Sequence, residues 1–418
     1  MARQNVPWSE LPQDPISIIL TRLDVIDVLS FSSTCKSWGN VCRNLKATIL
    51  KSGTLTMITS RSVHDTSLHE DGLEDGAFGI HVVDAAKSFD CKHKFLMKKS
   101  WIGGKDDWLV TTDGSCDMQL VNPITGDVTP LPTLNTSDKY VLEESQQIHV
   151  VFEHTHNIRR VVLCQTPSSP NGHFAIALFD DGLMACTGHG QSDWKTFTHP
   201  TQLFSGCYTY YPEVWLDAIV HHGRVVAVNE GGYLYSWSMH DPEAYPIKLT
   251  TPEFSQEHDT QVYYLATSPN DELLLVCVHG EHRRYFEPSL RMVVSEQDRI
   301  EQPAAISIHV YDDIENVWLR TQFIGAGLSL FLGLNCPFYG RWSNVEADRV
   351  YIASMCDNDS VIFSMDSSEA ENSIEKRNYP IKKESRLIDG MSIRTPMWFR
   401  PTVPFLDGIK EKDNVEQL

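Results

Sequence analysis

Two hydrophobic periods divide this chain. In its first part, apolar residues fall at helical spacing: Ile16, Ile19, Leu20 and Leu23 stand at i, i+3, i+4 and i+7, one stripe on a short helix. Asp14 is placed as the N-cap, and Pro15 sits in the first turn, where a missing N–H is tolerated. Asp27 is placed to cap a second short helix carrying Val28, Leu29 and Phe31. A third run puts Cys35, Trp38, Val41, Cys42 and Leu45 on one face. Three short helices cannot bury this much apolar surface among themselves, so part of it needs a partner.

After Gly53 the period shortens and β-rich runs separated by turn signals take over. The clearest unit is 158–199. IRRVVLCQ predicts one strand and HFAIALFD the next, with Phe174, Ile176 and Leu178 on one face and Ala175, Ala177 and Phe179 on the other. A strand apolar on both faces is covered on both sides. Asp181-Gly182 turns the chain into GLMACTG, and DWKTFTH closes the unit. The same order recurs over 100–134, 216–250, 262–323 and 328–378, at roughly the spacing of propeller blades.

The unit at 54–96 is one strand short, with only TLTMIT, FGIHVVD and KHKFL. MWFRPTV, 397–403, stands alone near the other end. A propeller closes when its two ends share one blade, which removes free sheet edges. The expected fold is therefore mainly β: a small N-terminal three-helix module followed by a β-propeller of about six blades closed by the C-terminal strand. A pair of β-sandwiches is the competing arrangement of the same strands.

The chain has 418 residues, enough for one small module and one large domain. Its 55 acidic against 35 basic residues, net −20, leave no run of Lys and Arg for a nucleic-acid surface. The 10 cysteines include no CxxC pair, and several sit inside apolar strands, as core residues of a reducing compartment do. The N-terminus has no apolar signal segment, and no run approaches a membrane span. Localisation to cytoplasm, nucleus or both is the expectation.

Catalytic motifs are missing from the sequence. Gly103-Gly104-Lys105 lacks the spacing and hydroxyl of a phosphate loop, and no GxSxG or HExxH occurs. His154 and His156 share a strand face without an evident third metal ligand. His221 and His222 point to opposite faces if extended. No metal, cofactor or catalytic residue is expected. Three loops stand out: the acidic 61–77, the mixed 366–378 and the insertion 281–304. The insertion carries Arg283, Arg284, Tyr285, Phe286 and Arg291, residue types that interfaces favour, and is the candidate target-binding site.

Leu11-Pro12, Asp14, Ile18 to Leu20, Arg22-Leu23, Asp27 and Cys35-Lys36-Ser37-Trp38 follow one another in an order that resembles an F-box. The NPITGDVTPLP hairpin (122–132), DAIVHHGRVVAV (217–228) and IHVYDDIENVW (308–318) resemble the propeller domain, once of unknown function, found behind an F-box in plant proteins. The resemblance implies an F-box at 8–50 and a substrate-binding propeller at 51–406; the polar, charged stretch 407–418 is expected to be a disordered tail. It implies a non-catalytic substrate receptor of an SCF-type cullin–RING ubiquitin ligase, binding a Skp-type adaptor, through it a cullin, and a protein target. Leu11, Pro12, Ile16, Ile19, Leu23, Leu29 and Trp38 would supply the apolar adaptor contact or its support, framed by Asp14, Asp27 and Lys36. The alternatives are a propeller scaffold without a ligase role and a propeller hydrolase. Almost purely apolar inner strands argue against the hydrolase.

Overall fold

The computed structural model describes residues 11–20, 23, 27, 31, 34–44, 56–61, 77–82, 87–92, 94–96, 99–112, 117–133, 158–179, 182–198, 200, 214–252, 261–279, 305–321, 327–341, 347–356, 359–366, 379–383 and 393–400. Two α-helices stand at the head of these residues, α1 (Gln13–Leu20) and α2 (Lys36–Asn44). Everything after them is a six-bladed β-propeller. The sandwich arrangement is thereby excluded.

In blade 1, β1 (Thr56–Arg61), β2 (Ala77–Val82) and β3 (Lys87–Lys92) form an antiparallel meander. The third strand lies earlier than KHKFL, which instead holds a 3-10 turn at Lys94–Leu96. Blade 2 is β4 (Ser100–Lys105), β5 (Trp108–Thr112), β6 (Met118–Val121) and β7 (Val128–Pro130). Blade 3 is β8 (Ile158–Gln165), β9 (Phe174–Phe179), β10 (Met184–Gly188) and the two-residue β11 (Lys195–Thr196). Blade 4 is β12 (Trp215–His221), β13 (Arg224–Asn229), β14 (Leu234–Ser238) and β15 (Ile247–Lys248). Blade 5 is β16 (Gln261–Thr267), β17 (Leu273–His279), β18 (Ala305–Asp312) and β19 (Val317–Thr321).

Blade 6 departs from the expected meander. β20 (Ser329–Leu332) runs parallel to β22 (Arg349–Cys356), and β21 (Phe338–Gly340) folds back on the other side of β20. The run LSLFLGLNCPFYG holds two short apolar segments around Asn335-Cys336-Pro337, which makes a hairpin where one strand was expected. β23 (Asp359–Asp366) and β24 (Tyr379–Lys383) complete the blade, the latter beyond the expected limit at 378. β24 also pairs with β18 through Tyr379 and Pro380, joining blades 5 and 6 in one sheet.

The ring closes as the short first unit implies. β25 (Ile393–Phe399) pairs antiparallel with β1, setting Thr56 against Phe399, Met57 against Trp398 and Ile58 against Met397. The strand begins four residues before the expected MWFRPTV. Trp398 donates from Nε1 to the Leu332 carbonyl at 2.8 Å and packs edge-on to Phe331, tying the shared blade to blade 6. The Arg400 backbone N–H donates to the Asp106 carbonyl at 2.9 Å, and their side chains form an ion pair, tying it to blade 2.

The hydrophobic core lies between blades. Phe174, Ile176 and Leu178 of β9 pack with Trp215, Ala218 and Trp237 of blade 4, while Ala175, Ala177 and Phe179 pack with Ile102, Val110 and Leu120 of blade 2. The strict alternation along this strand is the sign of a sheet covered on both faces. Neighbouring backbones come close: a Cβ on Gly103 would overlap the Val161 carbonyl oxygen, so only glycine fits there. Tryptophans latch three successive seams. Trp194 Nε1 donates to the Pro132 carbonyl, Trp237 Nε1 to Thr198 and Trp318 Nε1 to Thr250, at 2.8 to 2.9 Å.

The inner strands are not wholly apolar. Arg160 of β8 pairs with Asp217 of β12 at 3.0 Å, and Asp217 has no solvent exposure. Asp217 accepts from the N–H of Ala218 and of Leu265, both at 2.9 Å. Arg160 donates to the carbonyls of Gly333 and Asn335 at 3.2 and 3.1 Å. One ionic knot thus connects blades 3, 4, 5 and 6. Cys164, Cys186, Cys277 and Cys336 are buried free thiols and Cys35 a half-buried one; burial pushes the Cys186 thiol up to about 11, which removes thiolate reactivity there.

His309 sets a pH dependence. It lies buried on β18, 3.3 Å from Ser307 Oγ and across from Arg320 of β19. Burial, then the Arg320 charge, pushes its imidazole down from 6.5 to about 4. The unfolded chain takes up a proton below about 6.5 that the folded chain refuses until about 4. Stability therefore falls on acidification across that window, by about 3 kcal/mol at full extent. With unfolding midpoints measured at intervals from neutral pH down to the lower limit of the window, the wild-type midpoint should fall relative to that of His309→Gln. Parallel curves would show that His309 is not held neutral.

Candidate functional site

The helical head presents one buried and one open apolar face. α1 starts at Gln13, so Asp14 lies in the first turn instead of capping it, where its charge still favours the helix N-terminus. Ile16 and Leu20, one turn apart, have no solvent exposure, while Ile18 is 59% exposed on the other side. Ile16 therefore supports the surface and does not form it. Leu11, Ile19, Leu23, Asp27 and Trp38 are half-buried; Pro12, Asp14 and Lys36 are exposed. Trp38 on α2 stacks on Phe31 with ring centroids 4.2 Å apart, and the Gly39 N–H donates to the Cys35 carbonyl at 3.0 Å to open the helix. Leu29 lies outside the described residues. The open apolar residue missed by the stripe is Ile18, and its signal is an isoleucine off the i, i+3, i+4 positions.

Arg283, Arg284, Tyr285, Phe286 and Arg291 lie outside the described residues, as do 62–76, 367–378, His154 and His156. The strand ends that flank the insertion are described. His279 and Ala305 pair with each other, at the end of blade 5 away from the β16–β17 turn.

That β16–β17 turn belongs to a cluster on the opposite edge. His221 and Arg224 pair across a two-residue hairpin in which His222 has φ 47° and Gly223 φ 72°. Two positive φ values in succession make a type I′ turn. His222 is thus not extended, which corrects the expectation that the two imidazoles diverge: their rings stack 3.9 Å apart. His222 Nε2 lies 3.0 Å from an Asp271 carboxylate oxygen of the β16–β17 turn, and His222 Nδ1 lies 3.9 Å from Asp313 of the β18–β19 turn. Asp271 is itself left-handed, φ 65°, held by Asp271 N–H to Ser268 carbonyl at 3.0 Å and Ser268 N–H to Glu272 carbonyl at 2.8 Å. Burial pushes the His221 imidazole down, and His222 adds to this against Asp271 and Asp313. Next to Asp313, Ile314 is 92% exposed at the tip of its hairpin, where Asp312 Oδ1 accepts from the N–H of Ile314 and Glu315.

A family model described as the F-box domain matches residues 8–50, and one described as the KIB1-4 beta-propeller matches residues 81–378. No curated protein matches. Among solved structures, the Cps50 (Swd1) beta-propeller domain of Myceliophteria thermophila is 10% identical with a TM-score of 0.35, over 74% of this chain and 80% of that one. The computationally designed Ika8 protein is 11% identical with a TM-score of 0.31, over 74% of this chain and 66% of that one. YCF48 bound to D1 peptide is 12% identical with a TM-score of 0.31, over 58% of this chain and 60% of that one. Among the described residues, no helix is long and apolar enough to cross a membrane.

Proposed function

This chain belongs to the KIB1-4 beta-propeller family and carries an F-box ahead of its propeller, and we propose that it is the substrate-receptor subunit of an SCF-type cullin–RING ubiquitin ligase. The observation that carries this reading is the joining of the two modules in one chain. F-box domains generally bind Skp1-type adaptors. A propeller supplies a rigid platform whose loops can select a partner. In this reading the protein does no covalent chemistry. The F-box binds the adaptor and, through it, a cullin; the propeller holds a protein target; the effective concentration of target near the ubiquitin-loaded arm rises, and reaction follows from proximity. The setting is the cytoplasm, the nucleus or both, and the receptor is of the kind found in plants.

Leu11, Pro12, Ile19, Leu23, Leu29 and Trp38 form the proposed adaptor contact, with Ile18 added from its exposure, Ile16 behind it, and Asp14, Asp27 and Lys36 around it. Arg283, Arg284, Tyr285, Phe286 and Arg291 form the proposed target contact, suited to an acidic or phosphorylated segment. Leu11→Ala with Pro12→Ala should abolish adaptor co-precipitation, each lost apolar contact costing on the order of 1–3 kcal/mol, while the propeller stays folded. Arg283→Glu with Arg284→Glu should prolong target half-life in cells and leave adaptor binding intact. Undiminished adaptor capture by the first variant would overturn the F-box assignment. Wild-type target turnover in the second would remove the insertion from the target site.

A further inference from the structure

We propose that His221, His222 and Asp271, with Asp313 beside them, bind a divalent transition-metal ion of the zinc class. One ring nitrogen from each histidine and one Asp271 carboxylate oxygen lie within 4.8 Å of one another. Two imidazoles and a carboxylate suit zinc and its neighbours, which accept nitrogen and oxygen in tetrahedral sites; magnesium and calcium require mostly oxygen. A small closure of these turns would bring the three atoms to metal–ligand distance, leaving a fourth position for water.

The fold builds this arrangement from three separate hairpins on one edge of adjacent blades. The type I′ turn folds His222 back over His221, and Asp271 arrives from the next blade on a left-handed residue. Asp313 comes from the third turn and stands near the remaining His222 nitrogen, where an outer carboxylate orients a ligating imidazole. A hydrogen bond between His222 and Asp271 explains one contact only. It leaves His221, 8% exposed, with a buried Nδ1 that has no hydrogen-bond partner. Two carboxylates beside two imidazoles give the local negative charge that a divalent cation neutralises. A bound ion would pin blade 4 to blade 5 beside the exposed Ile314.

The test uses the full chain, stripped with a chelator and titrated with zinc chloride, and with cobalt(II) as a spectroscopic probe. His222→Asn and Asp271→Asn are the variants of choice, because asparagine tolerates the left-handed backbone at both positions. Wild type should take up one equivalent of zinc with a rise in thermal midpoint. Its cobalt form should show ligand-field bands without a thiolate charge-transfer band, which separates this site from the cysteines. Each variant should keep its metal-free midpoint and lose affinity by about tenfold or more, the effect of removing a ligand or its charge. Equal zinc affinity in wild type and both variants, a thiolate band, or no binding by wild type would overturn the site.

Discussion

Asp217→Ala should destabilise the propeller by about 3–5 kcal/mol, a large share of the stability of an ordinary domain. The carboxylate is fully buried and collects three partners: the Arg160 guanidinium and the N–H groups of Ala218 and Leu265. Burial pushes the carboxyl up, and the guanidinium and the two N–H groups oppose this. Removing it strands a buried positive charge and two N–H donors in a region water does not reach, and the remaining bonds from Arg160 to Gly333 and Asn335 do not neutralise that charge. Arg160→Met with Asp217→Leu should cost less than the two single changes together, because the double variant strands no charge. Urea unfolding of wild type, Arg160→Met, Asp217→Leu and the double variant gives the coupling directly, with Asp217→Ala measured beside them. A loss below about 1 kcal/mol for Asp217→Ala would mean that the knot is not closed in solution.

Ending the chain before Ile393 should leave a protein that aggregates. Without β25, β1 exposes its unpaired backbone from Thr56 to Arg61 as a free edge. Met397, Trp398 and Phe399, each 1% exposed, go with it, at about 1.5–3 kcal/mol of burial apiece. The bond from Trp398 to Leu332 and the ties from Arg400 to Asp106 are lost as well, so blade 1 is released from blades 6 and 2 together. A chain stopping after residue 407 keeps β25 and should stay monodisperse. Soluble yield and size-exclusion profile report both. Equal behaviour of the two truncations would contradict the closure.

Much of this architecture was legible in the residues. Alternation across Phe174 to Phe179 is a local property, and it correctly places that strand between two covered faces. The shortage of one strand in the first unit and the surplus strand near the other end pointed to each other, because a ring must balance its strands. Local pattern fails where distance enters. Blade 6 runs β20 parallel to β22, and parallel pairing leaves no mark on a short apolar run that distinguishes it from antiparallel. Asp217 looks like an isolated charge in an apolar strand and Arg160 is one of two adjacent arginines opening another, a signal that charge is buried there but not of which partner. His221 and His222 depend on a backbone angle: extended, they diverge, and left-handed at His222 they stack. Gly223 was the available signal, as a glycine in the second place of a two-residue turn. Of the proposed adaptor face, the buried stripe at Ile16 and Leu20 was readable from spacing, whereas the exposure of Ile18 follows from packing that spacing does not specify.

The pairing of β25 with β1 also sets a clock. On a ribosome adding about 5–20 residues per second, the roughly 330 residues between Arg61 and Ile393 take about 15–70 s to appear. Blades 2 to 5 need only local partners and can form as they emerge, but blade 1 waits with its innermost strand missing. Joining the ends is not the slow part, since the entropy of closing a loop grows only logarithmically with its length. The period of exposure is therefore set by translation. Slower elongation lengthens the time during which the Thr56–Arg61 edge is open to neighbouring nascent chains, and a chaperone that covers a single strand edge for that interval would protect the whole ring.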